Sequence, residues 1–511
     1  MLDVRSLQDS RWHDHLRSTP PPPSIADAFS QRCVRRGATA KTSDVAIIGL
    51  GPAGLAALFG IIRQAQRPLS LLVVDPADRP GGDAYRRARP EHLLNARAAS
   101  MSLDPEDPAS FSRWLGRRLR RPAEHAADDY APRALYGEYL DHMRLQAISL
   151  ANEAGHLLNR VRQVAVDIAE TPSGWEIRFD RGEARLARHV ILATGCRTRG
   201  QYALTDQARV ASSPWEVAYE EAARRHGTGT AVIAGGGLSG VDAVLSLAAA
   251  GWTGPIIVAS PRGTLPARHA TAPVAAKPIQ SAPLAAGSAR ALFRAIRDSL
   301  EADIEAGGDW RARIQLLREE LPALWARLSP ATRRRLMRHA ASVWNQHRHR
   351  MAPVAASRIE DLERSGQLRV ERWRVTSVIA ESGSLSVEVR DRHGRLETMA
   401  ADLFISASGL DLAADSDPLV ARLLGRGLVA RSATGMGLAV EAVGTAVSRR
   451  SRGGSLHALG SLLIGERLES TAILELVVQA RLAAQELAAL LGRSSMAEPP
   501  GYRPEPVFAA D

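Results

Sequence analysis

A glycine-bearing turn between an apolar strand and an apolar helix constrains this chain more than any other feature. Residues 45–48 form a short run of apolar side chains, and an apolar helical pattern begins just after Gly54. Gly49, Gly51 and Gly54 have the spacing G-x-G-x-x-G. The first glycine allows a tight turn, the second lets the backbone approach a pyrophosphate, and the third lets helix and strand pack closely. The unpaired N–H groups at the helix N-terminus then bind the phosphates.

An acidic residue supports a dinucleotide site at this turn. A second apolar strand is predicted over residues 69–74, and Asp75 follows it, twenty-six positions after Gly49. A carboxylate at this place can accept a hydrogen bond from an adenosine ribose hydroxyl. A glycine triplet alone is often only a turn, but strand, triplet, helix and terminal acid together predict a dinucleotide site.

The same pattern recurs near the middle of the chain. Residues 231–234 are the predicted strand, Gly235, Gly237 and Gly240 form the turn, and residues 241–247 begin the helix. Two copies separated by short strands predict an α/β fold with two Rossmann-like dinucleotide-binding domains.

The second copy lacks the acid of the first. Its second strand, predicted over residues 255–259, is followed by Ser260 and Arg262. A carboxylate would repel a 2′-phosphate, whereas serine and arginine can bind one. The second domain is therefore predicted to bind NADPH in preference to NADH, and the first to bind FAD. The alternative for Arg262 is a solvated arginine in a loop.

Strands that end in glycine predict where the chain passes between the domains. An apolar strand closing in Ala-Thr-Gly, here at Thr194 and Gly195, recurs in flavoproteins with two dinucleotide domains at such a crossing. Residues 401–409 form a second apolar strand pattern that ends in glycine, here Gly409, and are predicted to return the chain to the FAD domain. A last strand ends at Gly460.

These patterns divide the chain into five predicted segments. They are a poorly ordered tail over 1–43, the first part of the FAD domain over 44–205, the NAD(P)H domain over 206–370, the second part of the FAD domain over 371–490, and a tail over 491–511.

The NAD(P)H domain is predicted to carry a helical insertion over residues 288–350, where apolar residues recur at spacings of three and four. A cationic cluster ends the insertion. It comprises Trp344, His347, Arg348, His349 and Arg350. Such side chains suit carboxylates or phosphates, so the cluster is a candidate substrate site. A solvated basic helix end is an equally open alternative. No metal site is predicted, because histidines two positions apart diverge on a helix and no acidic partner is nearby.

Composition narrows the functional classes. The formal net charge is +11, but the basic residues lie among acids and form no aromatic-interleaved stripe, so no nucleic-acid partner is predicted. Two cysteines, Cys33 and Cys196, form no C-x-x-C pair, which excludes dithiol chemistry.

No apolar run approaches the roughly 18 to 20 residues that span a bilayer. No secretory signal is predicted in the tail, so a cytoplasmic protein is expected. The oligomeric state stays open.

Four stretches carry a resemblance to a known family. They are residues 92–115, 133–140, 344–353 and 469–479. These stretches resemble poorly characterised bacterial FAD/NAD(P)-binding oxidoreductases, whose relatives include flavin-dependent nitrosuccinate synthases that hydroxylate the amine of aspartate. Residues 101–115, together with Arg133 and Tyr139, are also similar to segments of ornithine and lysine N-hydroxylating monooxygenases. Ser461 departs from the pattern, since many such flavoproteins carry an aspartate after the glycine that matches Gly460.

The resemblance implies cofactors and a reaction. NADPH reduces FAD, O₂ adds to form a C4a-(hydro)peroxyflavin that bound NADP⁺ shields from water, and an unprotonated amine attacks it. Asn95 and Met101, in a polar loop predicted to face the ligand, are candidate FAD contacts. The protein supplies position, dryness and charge in this mechanism, so no catalytic acid or base is assigned.

The predicted function is accordingly an FAD-dependent, NADPH-using monooxygenase that N-hydroxylates a small acidic amino acid with O₂. Two alternatives remain open at this point. One is an NAD(P)H-dependent flavin reductase or dehydrogenase that passes electrons to an acceptor other than oxygen. The other is a non-catalytic flavin-binding sensor that uses the helical insertion as its interface.

Overall fold

A computed structural model describes most of the chain. The described residues are 42–198, 202, 209–270, 289–440, 445–447 and 453–495. Most of the predicted N-terminal tail lies outside them. Thr42 and Ser43 belong to the first strand, so the predicted tail over 1–43 was two residues too long.

The first domain is built on a seven-stranded sheet. Its strands are β1 (Thr42–Ile48), β2 (Ser70–Val74), β3 (Leu157–Val161), β4 (Ala165–Thr171), β5 (Gly174–Phe179), β6 (Ala184–Leu192) and β17 (Leu456–Ala458). Hydrogen bonds order them β3-β2-β1-β6-β5-β4, and β17 also pairs with β6. β1 is parallel to both β2 and β6, so it lies in the interior of the sheet. A strand buried on both faces is expected to be apolar throughout, as β1 is from Val45 to Ile48.

Helices cover this sheet. They are α1 (Pro52–Gln64), α2 (Gly82–Arg86), α3 (Ser110–Leu119), α4 (Ala123–Ala127), α5 (Arg133–Glu153), α13 (Pro418–Gly425) and α14 (Ile473–Ser495). α1 packs against α14 at Gly60, where an added Cβ would lie 3.0 Å from the Cβ of Ala484. Because α14 continues to Ser495, the predicted start of the C-terminal tail at residue 491 was at least five residues too early.

The second domain is built on a five-stranded parallel sheet. Its strands are β8 (Val210–Ala211), β9 (Ala231–Ala234), β10 (Ile256–Ala259), β11 (Leu368–Glu371) and β15 (Leu403–Ser406), ordered β11-β10-β9-β15-β8. Its helices are α6 (Tyr219–His226), α7 (Leu238–Ala249) and α12 (Pro353–Arg364). Two Rossmann-like domains are therefore present, as the two glycine turns predicted.

The helical insertion is confirmed. Its helices are α8 (Ala289–Glu305), α9 (Trp310–Arg327), α10 (Pro330–His339) and α11 (Ala341–Arg348). Within the described parts of the chain, no helix is long and apolar enough to cross a bilayer.

The predicted return to the first domain at residue 371 was wrong. A three-stranded antiparallel sheet follows, made of β12 (Arg374–Glu381), β13 (Ser384–Arg390) and β14 (Leu396–Ala401). Its Val375 and Val387 pack in one apolar cluster with Val232 of β9. β15 then pairs in parallel with β9, so residues up to 406 belong to the second domain.

The chain crosses between the domains on two adjacent segments. β7 (Arg197–Thr198) leads out of the first domain and pairs antiparallel with β16 (Leu410–Asp411), which leads back. A buried ion pair also joins the domains, since Nη1 of Arg133 on α5 donates to Oδ2 of Asp242 on α7 at 2.7 Å. Beside it, Ser246 of α7 donates to Glu91 at 2.7 Å and contacts Nε2 of His92 at 2.8 Å.

Candidate cofactor and substrate sites

The three glycines of the first turn have three distinct surroundings. Gly49 has φ +99°, which favours glycine, and a Cβ there would lie 2.9 Å from the carbonyl carbon of Ala193. A Cβ on Gly54 would lie 3.0 Å from the carbonyl carbon of Gly49, so only glycine lets α1 approach the turn. A Cβ on Gly51 would have no atom within 4 Å. The open side of the turn at Gly51, at the N-terminus of α1, therefore fits a pyrophosphate.

Asp75 both shapes this turn and remains able to bind a ribose. Its Oδ2 accepts from the backbone N–H of Leu50 at 2.7 Å, and its Oδ1 accepts from that of Ala77 at 2.8 Å. The side chain is only half-buried, and each carboxylate oxygen has a further lone pair. The arrangement is compatible with the predicted ribose contact, which stays a prediction.

The ends of β6 and β17 lie beside the first turn. The hydroxyl oxygen of Thr194 is buried and has no hydrogen-bond partner among the described residues, as expected of a group that faces a ligand. Ser461 donates to the carbonyl of Gly195 at 2.7 Å, and the backbone N–H of Gly460 donates to Gln479 at 2.7 Å. Ser461, which stands where many such flavoproteins have an aspartate, thus links the ends of β6 and β17 through a hydrogen bond.

The second turn repeats the geometry of the first. Gly235 has φ +122°, and a Cβ there would lie 2.6 Å from the carbonyl carbon of Ala407. A Cβ on Gly240 would lie 3.2 Å from the carbonyl carbon of Gly235, whereas a Cβ on Gly237 would have no atom within 4 Å. Gly237 therefore opens the same kind of space at the N-terminus of α7. Gly409, with φ +90°, lies in the returning crossing segment rather than in this turn.

The residues predicted to bind a 2′-phosphate lie at the end of β10. Ser260 is buried beside the second turn, since a Cβ on Gly236 would lie 2.9 Å from its Cβ. Arg262 is exposed and donates to the Ser342 hydroxyl and, at 3.2 Å, to the carbonyl of His339. Sequence reasoning missed Arg372, an exposed cation that follows β11 and adjoins the same loop at Gly263.

A cavity of about 510 Å³ lies between the first domain and the helical insertion. The first domain contributes Asn95, Met101 and the beginning of α14, so both predicted FAD contacts of the polar loop line it. Five arginines also line it: Arg97, Arg311, Arg318, Arg348 and Arg350. The cavity is therefore strongly cationic, although several of these arginines are paired with acids.

The structure places only three of the five residues of the predicted substrate cluster on the cavity wall. Arg348, His349 and Arg350 line the cavity, but Trp344 and His347 do not. Nε1 of Trp344 donates to Glu469 at 2.8 Å, which fixes α11 to the segment before α14. Nδ1 of His347 contacts the carbonyl of Val343 at 2.9 Å, one turn back along the same helix. Those two side chains therefore support the cavity wall.

Arg350 differs from Arg348 in its partners. Arg348 lies 3.3 Å from the Glu469 carboxylate, and burial, partly offset by Glu469, lowers its pKa. Arg350 is 8% exposed and forms no salt bridge with a described residue; its Nε is buried without a hydrogen-bond partner among them, and its guanidinium lies over the ring of Trp310, 5.8 Å from the centroid. Burial, followed by repulsion from Arg348, lowers the pKa of Arg350 to about 10, which leaves it charged at neutral pH. A buried and unpaired cation is costly unless an anion joins it.

Two ring side chains of the cavity were missed from the sequence. His269 follows β10 by ten residues and lies against the ring of Tyr130 at 5.0 Å between centroids. Neither lies in a motif, so the sequence contained no local signal for them. Over the described residues, no cluster of histidine, cysteine or acidic side chains is suited to a metal ion.

Comparisons with known proteins agree with this geometry. Residues 46–197 match a family model described as FAD-NAD(P)-binding. The curated protein YdhS of Escherichia coli strain K12, itself described as uncharacterised, is 25% identical over 228 residues. The match covers 40% of this chain and 39% of that protein, so the chain spans about two fifths of its curated relative.

Solved structures share the fold over most of the chain. The ornithine hydroxylase PvdA of Pseudomonas aeruginosa has a TM-score of 0.61 at 16% identity, covering 88% of this chain and 100% of that one. The ornithine N-hydroxylase KtzI of Kutzneria gives 0.61 at 15%, with the same coverage. The cadaverine monooxygenase DfoA of Erwinia amylovora gives 0.61 at 13%, covering 92% and 99%. The chain thus has the two-domain dinucleotide-binding fold of flavin-dependent N-hydroxylating enzymes.

Proposed function

We propose that this protein is an FAD-dependent, NADPH-using monooxygenase that hydroxylates the amine nitrogen of a small acidic amino acid. The first turn would hold FAD and the second NADPH. The reaction is that of an ammonium substrate with O₂ and one hydride, which yields a hydroxylamine and water. Bound FAD supplies the hydride transfer and the activation of O₂.

The observation that carries the choice of substrate is the isolated charge of Arg350. The cavity adjoins the loop and helix end proposed to face the flavin, and Arg350 is its buried cation without an anionic partner among the described residues. A guanidinium can bind a carboxylate through two parallel hydrogen bonds. Arg97 and Arg311 lie on the same walls, but each forms a salt bridge, Arg97 with Asp128 and Arg311 with Asp309, so Arg350 supplies the uncompensated charge. An acidic amino acid is attracted to such a cavity, whereas the side-chain ammonium of lysine or ornithine is repelled.

The experiment compares acidic and basic amines as substrates of the flavin-loaded protein. Aspartate or glutamate should couple NADPH oxidation to an N-oxygenated product identified by mass spectrometry, and lysine and ornithine should not. Better coupling with lysine would contradict the proposed substrate class. NADPH oxidation that needs another acceptor and no O₂ would favour a reductase, and negligible turnover would favour a sensor.

Arg350→Ala tests the carboxylate contact. The variant should keep NADPH-dependent flavin reduction but raise KM for aspartate by about tenfold to a hundredfold, the effect of losing a charge-assisted hydrogen bond of roughly 1.5 to 3 kcal/mol. Oxygen should be diverted to hydrogen peroxide, because the amine is no longer held in position. Arg338→Ala removes an exposed arginine of α10 and is the matched control. Arg348→Ala is a poorer test, since it would leave the Glu469 carboxylate buried without its partner.

A further inference from the structure

Given the proposed N-hydroxylation, we propose that His269 is the base that takes a proton from the substrate ammonium, and that the substrate carboxylate on Arg350 enables it to do so. An ammonium nitrogen has no lone pair with which to accept an oxygen atom. One N–H bond must therefore break, with its electron pair left on nitrogen and its proton moved to a nearby base.

Hydrogen bonding fixes the form of His269. Nε2 lies 2.9 Å from the carbonyl oxygen of Asn95. A carbonyl oxygen only accepts, so Nε2 carries the hydrogen and Nδ1 of the neutral ring has the free lone pair. Because Asn95 holds Nε2, Nδ1 is the ring nitrogen left to meet a ligand in the cavity that His269 lines.

The backbone holds His269 beside the proposed carboxylate site. Its N–H donates to the carbonyl of Met351 at 2.9 Å, and the preceding residue pairs in parallel with Met351. In this register Ala267 lies opposite Arg350, so His269 is held two positions from Arg350 across the two segments. An amino acid with its carboxylate on Arg350 has its amine close to this ring.

The charges that face His269 make it respond to an anion. Its pKa is lowered to about 4, first by burial and then by Arg350, Arg97 and Arg348, while the bond to Asn95 acts in the opposite direction. The neighbouring Tyr130 is neutral, because burial raises its pKa. The empty cavity therefore keeps His269 unprotonated. A carboxylate bound to Arg350 offsets the largest of the repulsive charges and makes the ring a stronger base.

The proton balance closes without an outside donor. His269 holds the proton that leaves the ammonium, and the amine lone pair accepts one oxygen atom. The remaining oxygen atom, the hydride from NADPH and the proton from His269 then account for water. The substrate thus brings both the anion that activates the base and the proton that the base carries.

His269→Gln tests the assignment, because its amide can still donate to Asn95 but cannot take a proton. NADPH should reduce its flavin at the wild-type rate, whereas formation of hydroxylated aspartate at pH 7 should fall by about a hundredfold or more. Raising the pH toward the pKa of the free amine should restore the product, since solvent then deprotonates the substrate. His125→Gln is the matched control, because His125 is an exposed histidine of α4 that does not line the cavity.

Succinate, which has two carboxylates and no amine, gives a second measurement that needs no turnover. At pH 5.5 its binding should draw more protons from buffer in the wild-type protein than in His269→Gln, as measured by calorimetry in buffers of different ionisation enthalpy. The second carboxyl of succinate titrates near this pH and contributes equally to both proteins. Equal coupling by wild type and His269→Gln, or equal proton uptake by both, would overturn the role of His269 alone. Failure of the wild type to hydroxylate any acidic amine would overturn the proposed function, and this assignment with it.

Discussion

Valine at the middle glycine of each turn tests which domain binds which cofactor. Gly51 and Gly237 have φ −69° and −85° with extended ψ, a conformation that valine adopts readily. A Cβ at either position would have no protein atom within 4 Å. The stability of the cofactor-free protein should therefore change by no more than about 1 kcal/mol, the usual effect of replacing glycine at an unstrained position.

Ligand binding should change far more than stability. The new side chain fills the space through which a pyrophosphate would reach the backbone N–H groups at the helix N-terminus. Losing two charge-assisted hydrogen bonds, at about 1.5 to 3 kcal/mol each, weakens binding by about a hundredfold to ten-thousandfold. Gly51→Val should be purified without flavin. Gly237→Val should keep its flavin but need far more NADPH to reduce it.

Three measurements separate the loss of cofactor binding from a loss of stability. They are the flavin-to-protein ratio from absorbance, the KM for NADPH and the thermal unfolding of the cofactor-free protein. Gly54→Ala is the control for general disruption, because its Cβ would lie 3.0 Å from the carbonyl carbon of Gly49 and should destabilise the fold directly. A Gly51→Val protein with a full complement of flavin would refute the assignment of FAD to the first domain. A colourless Gly237→Val protein would refute the assignment of NADPH to the second.

Two further predictions concern the second domain and its attachment. Arg262→Ala should weaken NADPH binding by about 1 to 3 kcal/mol and leave NADH kinetics unchanged. An equal loss with both nucleotides would mean that another residue contacts the 2′-phosphate, and Arg372→Ala would then be the next variant. Asp242→Asn should lower the free energy of unfolding by about 3 to 5 kcal/mol, because it leaves the largely buried Arg133 charge without its anionic partner. Chemical denaturation measures this loss. The double variant Arg133→Met with Asp242→Leu should recover most of it. If Asp242→Asn unfolded at the same denaturant concentration as the wild type, the pair would not hold the domains together.

The glycine turns could be predicted because their physics is local. Gly49 and Gly235 need positive φ, and Gly54 and Gly240 need the absence of a Cβ, within a strand, turn and helix that are consecutive in sequence. The pattern over residues 401–409 did mark the crossing back to the first domain, but the place of residues 371–406 in the second domain could not be predicted in the same way. β15 has the apolar sequence of any buried parallel strand, and its place beside β9 depends on pairing across about 170 residues.

The cationic cluster shows why site residues are harder to predict than folds. Arg348 and Arg350 are two positions apart and look equivalent in sequence. Glu469, more than a hundred residues away, forms its salt bridge with Arg348 and not with Arg350, so one arginine is structural and the other is open to a ligand. His269 was missed for the same reason, because its proposed role depends on the hydrogen bond to Asn95 and the charge of Arg350, which lie in two other segments.

The contacts that build the cavity also hold the two domains in one arrangement. Arg318 of the insertion lines the cavity and donates to Glu475 of the first domain at 2.9 Å, while Trp344 binds Glu469 from the next wall. Together with the buried pair between Arg133 and Asp242, these contacts would all have to break if one domain rotated against the other. The cavity is therefore preformed, and its unpaired Arg350 is present before a substrate arrives. The proposed selection of an acidic substrate would then depend on the charge that the substrate brings and not on closure of the domains around it.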